Sequence, residues 1–210
     1  MTERVAKIIT ILQETYPDAH CELDFQTPLQ LLIATVLSAQ TTDKQVNKVT
    51  ERLFADCPDL DSLLQLTKEE IRTYIRSLGF YNTKADHLYL MFRQLQDEFG
   101  GQVPRTMQEL TRLPGVGRKT ANVVMSNAFG EPAIAVDTHV FRVSNRLGLA
   151  HASTVELTEQ QLQEAIDRGL WTLCHHLLIF HGRRCCKARA PQCSLCPLQA
   201  LCEYHAAGKD

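Results

Sequence analysis

Apolar residues recur at helical spacing along almost the whole chain, and this pattern limits the possible fold more than any other feature. Stripes at intervals of three and four residues include Val5, Ile8, Ile9 and Leu12, and later Leu88, Met91, Phe92 and Leu95. The only strand-like run, 133–136, is too short to build a sheet. The pattern predicts an all-α protein of about ten short helices.

Helix boundaries are marked by their own signals. Capping boxes predict starts at three pairs, which are Thr67 with Glu70, Thr106 with Glu109, and Ser153 with Glu156. Glycines mark the ends of helices, and Gly130 followed by Glu131 and Pro132 is the best candidate for a domain boundary.

Charge and hydropathy exclude some classes of function. The 210 residues carry a net charge of −2, so DNA binding would need a local basic surface rather than a basic chain. The longest apolar run, 28–39, is too short to span a membrane. The N-terminus reads as an amphipathic helix and not as a signal peptide, which predicts an intracellular protein.

The segment 113–122, LPGVGRKTAN, combines a tight turn with a helix start. Gly115 and Gly117 are expected to allow φ > 0 and a close approach of a ligand to the backbone. The N–H groups of the turn and of the helix that follows it would bind one phosphate. A plain helix–helix turn without a ligand is the alternative.

Lys119 lies in the first turn of that helix, where the macrodipole is positive and Arg118 is adjacent. The positive end of the dipole and the Arg118 charge both disfavour the charged ammonium of Lys119. A neutral lysine is a nucleophile that forms Schiff bases. On spacing alone, a lysine that binds phosphate remains the alternative.

Asp137 stands just before an amphipathic helix in the string VDTHVFRVSNRL. Its simplest role is a helix cap. A carboxylate held there could also stabilise an oxocarbenium-like transition state at a sugar. The sequence pattern leaves both readings open.

Four cysteines crowd the C-terminal segment at the spacing C-x6-C-x2-C-x5-C, namely Cys186, Cys193, Cys196 and Cys202. Four thiolates bind zinc or an iron–sulfur cubane, and a single C-x2-C pair favours the cubane over a zinc ribbon. Cys185 is a spare thiol or an alternative first ligand.

Between Arg168 and Cys202 the chain has no acidic residue, while four cations flank the first cysteine ligand: Arg183, Arg184, Lys187 and Arg189. These four residues, here called the basic segment, balance cluster charge or contact DNA phosphates.

Six strings together resemble the endonuclease III family, within the helix-hairpin-helix DNA glycosylases. They occur in the family's order through nearly the whole chain: LSAQTTD at 37–43, LGFYNTKA at 78–85, LPGVGRKTANVV at 113–124, AVDTHVFRVSNR at 135–146, HGRRC at 181–185 and the four-cysteine spacing.

The resemblance implies two lobes. A six-helix barrel would cover 20–130 and contain the hairpin at about 106–129. Residues 1–19 would join 131–210 to make a helical domain with the cluster loop 186–202. The cleft between the lobes would place Lys119 opposite Asp137.

The resemblance also implies roles. Lys119 would be the nucleophile, and Asp137 the carboxylate that assists departure of the base. The four cysteines would bind a 4Fe-4S cluster, and the hairpin a phosphate with a monovalent cation. Gln40 would fill the hole left by the flipped nucleotide, and Phe80 stands where the family often has a leucine wedge. The expected DNA contacts further include Leu113, Gly115, Val116, Gly117, Arg118, Thr120, His139 and the basic segment.

The implied activity is base-excision repair of oxidised or ring-saturated pyrimidines in duplex DNA, followed by β-elimination at the abasic site. An adenine mismatch glycosylase is disfavoured because Lys119 is present and the stretch 28–39 contains no acid. A non-catalytic DNA-binding module is disfavoured because Lys119 and Asp137 occur together. A monomer of bacterial type, cytoplasmic and associated with the nucleoid, is expected.

Overall fold

The computed structural model describes residues 1–209, and this part of the chain contains helices and turns but no strand. The prediction of an all-α protein is confirmed. The α-helices, numbered in chain order, are α1 Glu3–Thr15, α2 Pro28–Leu37, α3 Asp43–Asp56, α4 Leu60–Leu64, α5 Lys68–Ile75, α6 Tyr81–Phe99, α7 Met107–Leu110, α8 Arg118–Phe129, α9 Thr138–Leu147, α10 Val155–Ala165, α11 Trp171–Arg184 and α12 Glu203–Ala206. Short 3-10 turns occupy Arg168–Leu170, Cys193–Leu195 and Gln199–Leu201.

Local hydrogen bonds explain most helix starts. Thr67 and Glu70 form the predicted reciprocal capping box at α5. At α10, however, the N-cap is Thr154, whose hydroxyl accepts a hydrogen bond from the backbone N–H of Leu157. The predicted start at Ser153 is therefore wrong by one residue, because Thr154 offers the same type of cap one position later.

The chain divides into two compact units. The middle unit is Cys21–Glu131, and the terminal unit combines Met1–His20 with the chain from Pro132 onward. The assignment of the middle unit as a six-helix barrel stays a prediction.

The middle unit is built around α2. Eight of its ten residues are buried, from Gln30 to Leu37, because the helix packs against α3, α6 and α8. A helix that is apolar on all sides belongs in a core. Its two ends therefore hold the adjoining turns in place, including the turn that carries Gln40.

The terminal unit has its own core, in which α9 and α11 pack together and α1 packs on α11. The buried face of α1 consists of Val5, Ile8, Ile9 and Leu12, as the sequence pattern predicts. Burial of each of these aliphatic side chains contributes about 1.5–3 kcal/mol. The core thus joins the two ends of the sequence.

None of the helices within residues 1–209 is both long and apolar enough to cross a membrane.

Candidate functional site: a glycine hairpin and a cysteine-lined cavity

The hairpin between α7 and α8 is anchored by two buried apolar side chains. Leu113 and Val116 are only 2% and 6% exposed, and the Val116 N–H donates to the Leu113 carbonyl over 3.1 Å. Their side chains therefore hold the turn in the core. If Leu113 and Val116 contact DNA, they do so through their main-chain atoms.

Gly115 is required by both conformation and space. Its φ is +79°, and an added Cβ would lie 2.9 Å from Nδ1 of His87 and 3.1 Å from Cγ1 of Val36. Gly117 differs, since its φ is −94° and its conformation is extended. The expectation of a positive φ at Gly117 is wrong, because the turn needs only one left-handed residue. No atom lies within 4 Å of a Cβ built at Gly117, so this side of the hairpin is open.

The start of α8 offers main-chain donors and cations together. The first N–H groups of a helix have no carbonyl within the helix to bind. Arg118 and Lys119 are exposed and Thr120 is half-buried in this first turn. The segment therefore has the composition of an anion site, with an accessible amine beside it.

Asp137 is the N-cap of α9. Its Oδ1 accepts hydrogen bonds from the backbone N–H groups of His139, at 2.9 Å, and Val140, at 2.8 Å. The His139 ring lies close to Arg142, with Nδ1 and Nη2 separated by 3.2 Å. The capping role foreseen from the sequence is present, and it fixes the orientation of the carboxylate.

The remaining predicted DNA contacts of the middle unit lie at exposed turns. Gln40 follows α2, and Phe80 directly precedes α6 with 65% of its surface exposed. Phe80 is therefore accessible to a ligand, and its contact with DNA stays a prediction.

Five cysteines surround one cavity in the terminal unit. Its lining includes the four predicted ligands, Cys185 and His181. Cys185 lies as near this cavity as the predicted ligands do, since its Sγ is within 4.8 Å of ligand atoms of both Cys196 and His181. Geometry by itself thus leaves Cys185 and Cys186 both near the site.

His181 also lines this cavity. No signal in the sequence pointed to this role beyond its place in the HGRRC string. It is 1% exposed, and its Nδ1 lies 2.9 Å from the Tyr16 hydroxyl. Burial raises the pKa of Tyr16 to about 12 and lowers the pKa of His181 to about 4. With Tyr16 donating to Nδ1, the proton of the neutral ring is on Nε2, which lies 3.7 Å from Sγ of Cys196.

Two arginines of α9 hold the loop that follows Cys185, and sequence reasoning missed them. Arg142 donates to the Cys186 carbonyl, from Nη2 over 3.0 Å, and Arg146 donates to the Lys187 carbonyl over 2.7 Å. Nη1 of Arg146 also lies 3.5 Å from Sγ of Cys186. Their spacing of four residues on one helix was the available signal.

The donor set fits an iron–sulfur cubane. Four thiolates and their cluster carry net negative charge, which Arg146 offsets at the Cys186 sulfur. Burial raises the pKa of Cys196 to about 12, so a thiolate at this position requires a bound metal cation. The cavity is lined by sulfur, and cysteine thiolates are the ligands of such clusters.

The basic segment is exposed, but its members are not equivalent. Arg184 forms two hydrogen bonds with the carboxylate of Asp18, at 3.1 and 2.7 Å, and lies over the Phe180 ring at 4.4 Å. Asp18 follows α1. The basic segment contains no acidic residue, but a carboxylate from the other end of the chain is bonded to it. DNA contacts by the four cations stay predictions.

The predicted site residues fall into two groups. Gln40, Phe80 and the hairpin with Lys119 belong to the middle unit. Asp137, His139, the basic segment and the cysteines belong to the terminal unit.

Comparison with known proteins identifies the same segments. Residues 33–168 match the model of the HhH-GPD superfamily base excision DNA repair proteins, and residues 186–202 match the iron–sulfur binding domain of endonuclease III. Endonuclease III of Escherichia coli (strain K12) is 46% identical over 198 residues, covering 94% of each chain. Endonuclease III of Synechocystis sp. is 47% identical over 201 residues, covering 95% of this chain and 92% of the relative.

A solved structure shares the fold over its whole length. It is a trapped covalent intermediate of endonuclease III with DNA, in an estranged-adenine complex. It is 46% identical to this chain, covers 100% of both chains and superposes with a TM-score of 0.93.

Proposed function

The chain belongs to the HhH-GPD superfamily of base excision DNA repair proteins, and from this membership we infer that it is a DNA N-glycosylase that also cleaves the resulting abasic site. Its partner is double-stranded DNA. The substrates are oxidised or ring-saturated pyrimidines. The observation that carries this conclusion is the exposed Lys119 beside the glycine hairpin, in a chain that matches endonuclease III along its length.

We assign the hairpin to one backbone phosphate of the DNA. Main-chain N–H groups at the start of α8 would bind its oxygens, together with the monovalent cation expected at the turn. Gly117 supports this role because no side chain blocks the approach. Phosphate contacts position a protein on DNA without reading sequence. The hairpin would thus bring the damaged nucleotide to Lys119 whatever the bases around it.

Lys119 is proposed as the nucleophile. A damaged base inside a duplex is out of reach, so the nucleotide must first rotate by roughly 180° into a pocket. The amine then attacks the anomeric carbon, the bond to the base breaks, and the base leaves with the bonding electrons. Opening of the sugar gives an imine between Lys119 and the sugar. Loss of a proton from C2′ then expels the 3′ phosphate, and water releases Lys119.

Asp137 is proposed to stabilise the positive charge that develops on the sugar as the base departs. Two backbone N–H groups bind its Oδ1 and keep the carboxylate fixed on α9. We assign the second oxygen, Oδ2, to the developing charge. A carboxylate already oriented needs no reorganisation in the transition state.

The protein carries a 4Fe-4S cluster. We propose Cys186, Cys193, Cys196 and Cys202 as its ligands, because the matching iron–sulfur domain begins at the first of them and ends at the last. When bound, the cluster supplies iron–thiolate bonds that cross-link the loop. The glycosylase and lyase steps at Lys119 use no electron transfer.

The endonuclease III relatives of Escherichia coli and Synechocystis sp. are bacterial proteins. A cytoplasmic location at the nucleoid is proposed for this chain because its substrate is chromosomal DNA.

The nucleophile is tested by reductive trapping. Borohydride added during turnover should join the protein to lesion DNA through Lys119. Lys119→Gln should abolish trapping and strand cleavage, while binding to lesion DNA persists because the hairpin backbone is unchanged. Lys48→Gln, an exposed lysine on α3, is the matched control and should trap normally. Undiminished trapping in Lys119→Gln would place the nucleophile elsewhere.

The role of Asp137 is tested by separating the two steps. Asp137→Asn should slow base release roughly 100-fold, the scale of one lost electrostatic contact in a transition state. Cleavage of a pre-formed abasic site should fall much less, because no oxocarbenium-like state is needed there. Since Asp137 also caps α9, the melting temperature of the variant must be measured alongside. Equal losses in both steps with unchanged stability would contradict the assignment.

A further inference from the structure

Two exposed turns of the middle unit hold side chains on strained backbone. Among residues 1–209, three residues other than glycine have positive φ, namely Gln40 at 53°, Phe80 at 57° and Ala190 at 49°. Such conformations cost on the order of 1 kcal/mol each and persist only where the surrounding structure enforces them. Gln40 and Phe80 are both exposed, so the strain presents two side chains to the outside.

Lys84 is bonded to both turns. Its backbone N–H donates to the Phe80 carbonyl over 3.0 Å, which is the first hydrogen bond of α6. Its Nζ donates to Oγ1 of Thr41 over 2.8 Å. Oγ1 of Thr41 also lies 3.4 Å from the Ala39 carbonyl. The residues on both sides of Gln40 therefore contact the hydroxyl that Lys84 binds.

The position of Lys84 is unfavourable for a cation. The residue is 4% exposed, burial lowers the pKa of its ammonium, and it lies in the first turn of a helix, at the positive end of the dipole. An apolar residue of similar length would fill this space at lower cost. Burial also leaves the ammonium little surface with which to bind a DNA phosphate directly.

We propose that Lys84 is a positioning residue that fixes the Gln40 turn relative to the Phe80 turn, so that both side chains enter the duplex together when the damaged nucleotide is extruded. This inference rests on the proposed function. Side chains that wedge between bases must offset an unstacking cost of a few kcal/mol per step. Two turns held by one residue, through its backbone N–H and its ammonium, meet that cost in a single preorganised arrangement.

The experiment measures extrusion without chemistry. In a Lys119→Gln background, 2-aminopurine placed beside a tetrahydrofuran abasic analogue reports unstacking by its fluorescence. Lys84→Met and Thr41→Val should each reduce the extruded fraction about tenfold, since each removes the same charge-assisted hydrogen bond. Thr41→Ser keeps the hydroxyl and should restore extrusion. Lys68→Met, which removes a lysine paired with Asp86 on the surface of the same unit, is the control and should leave the signal unchanged.

The double variant provides the decisive comparison. If the bond is the coupling element, Lys84→Met combined with Thr41→Val should be no worse than either change alone. Additive losses, or normal extrusion in both single variants, would overturn the proposal. If Lys84→Met does not fold, the contrast between Thr41→Val and Thr41→Ser decides.

Failure of the proposed function would have a different signature. Borohydride trapping on a single-stranded abasic site needs Lys119 but no extrusion from a duplex. Variants of Lys84 and Thr41 that retain Lys119 should therefore trap normally on that substrate. If the wild-type protein does not trap there, the proposed chemistry is wrong, whatever the fluorescence shows.

Discussion

At the scale of single residues, the partner of a charge decides what the charge can do. Arg184 and Lys187 lie three residues apart in the basic segment, and both are exposed. The Arg184 guanidinium is already bonded to Asp18, and this hydrogen-bonded pair lowers the pKa of the Asp18 carboxyl. Of these two residues, only Lys187 is therefore expected to contribute its full charge to DNA.

This difference predicts that two alanine variants change different quantities, one the salt dependence of binding and the other the melting temperature. Lys187→Ala should reduce the slope of log affinity against log salt by about 0.9, the value for one phosphate contact, without changing the melting temperature. Arg184→Ala should lower the melting temperature slightly and leave the slope nearly unchanged. Both effects are measured by binding to undamaged duplex across a salt series and by thermal unfolding.

Asp18→Asn is the matched control, because it releases Arg184 without removing it. The slope should then become steeper, since a freed guanidinium can reach a phosphate. A loss of slope in Arg184→Ala as large as that in Lys187→Ala would show that the Asp18 pair opens when DNA binds.

At the scale of elements, the cluster loop depends on the helices that flank it. The last turn of α11 supplies His181 and its C-cap is Cys185, while α9 supplies Arg142 and Arg146 to the carbonyl groups of the loop. The loop is therefore partly fixed by hydrogen bonds that do not involve sulfur. This support explains how a short segment can present thiols at irregular spacing to one cavity.

The ligand assignment predicts different results for two adjacent cysteines. Cys186→Ser should lose iron and sulfide, because it removes a proposed thiolate, whereas Cys185→Ser should retain both at about the cubane ratio. Iron and sulfide analysis after anaerobic purification, with the visible absorption spectrum, measures the outcome. Cluster loss in Cys185→Ser with retention in Cys186→Ser would shift the first ligand by one residue. Stoichiometric zinc without iron would contradict the cubane itself.

At the scale of the whole molecule, the terminal unit needs both ends of the chain. The buried face of α1 packs in the same core as α9 and α11, although more than a hundred residues separate α1 from α9. Closing so long a loop has an entropic cost that grows slowly with length, and burial of the α1 face offsets it. The unit is therefore expected to form only when both segments are present.

A cavity in this core should weaken the terminal unit selectively. Ile8 is fully buried, and Ile8→Ala should lower the free energy of unfolding by about 2–5 kcal/mol. Hydrogen exchange should accelerate most in α9 and α11. Leu32→Ala in α2, an equally buried position of the middle unit, is the control and should accelerate exchange in α8 instead. Uniform acceleration in both units for either variant would show that they unfold as one.

Features that depend on neighbours along the chain can be predicted from the order of the residues. Helical periodicity and the Thr67 capping box rest on interactions between residues three or four apart, and the same spacing marks which face of α1 is apolar. The structure has all three as predicted. The hairpin string also acts locally, since its turn closes through a hydrogen bond between Val116 and Leu113. These features need no knowledge of the fold.

The tertiary structure alone decided what depends on residues far apart in sequence. Pairing of Arg184 with Asp18, support of Cys196 by His181 and Tyr16, and the bond from Lys84 to Thr41 join positions between 15 and 166 residues apart. Gly115 is required by its own positive φ and also by His87 and Val36, which the fold brings to it. A sequence pattern shows which side chains could take part in such contacts. Which of them meet is set by the packing of whole helices, because that packing buries the apolar faces on which the free energy of folding mainly depends.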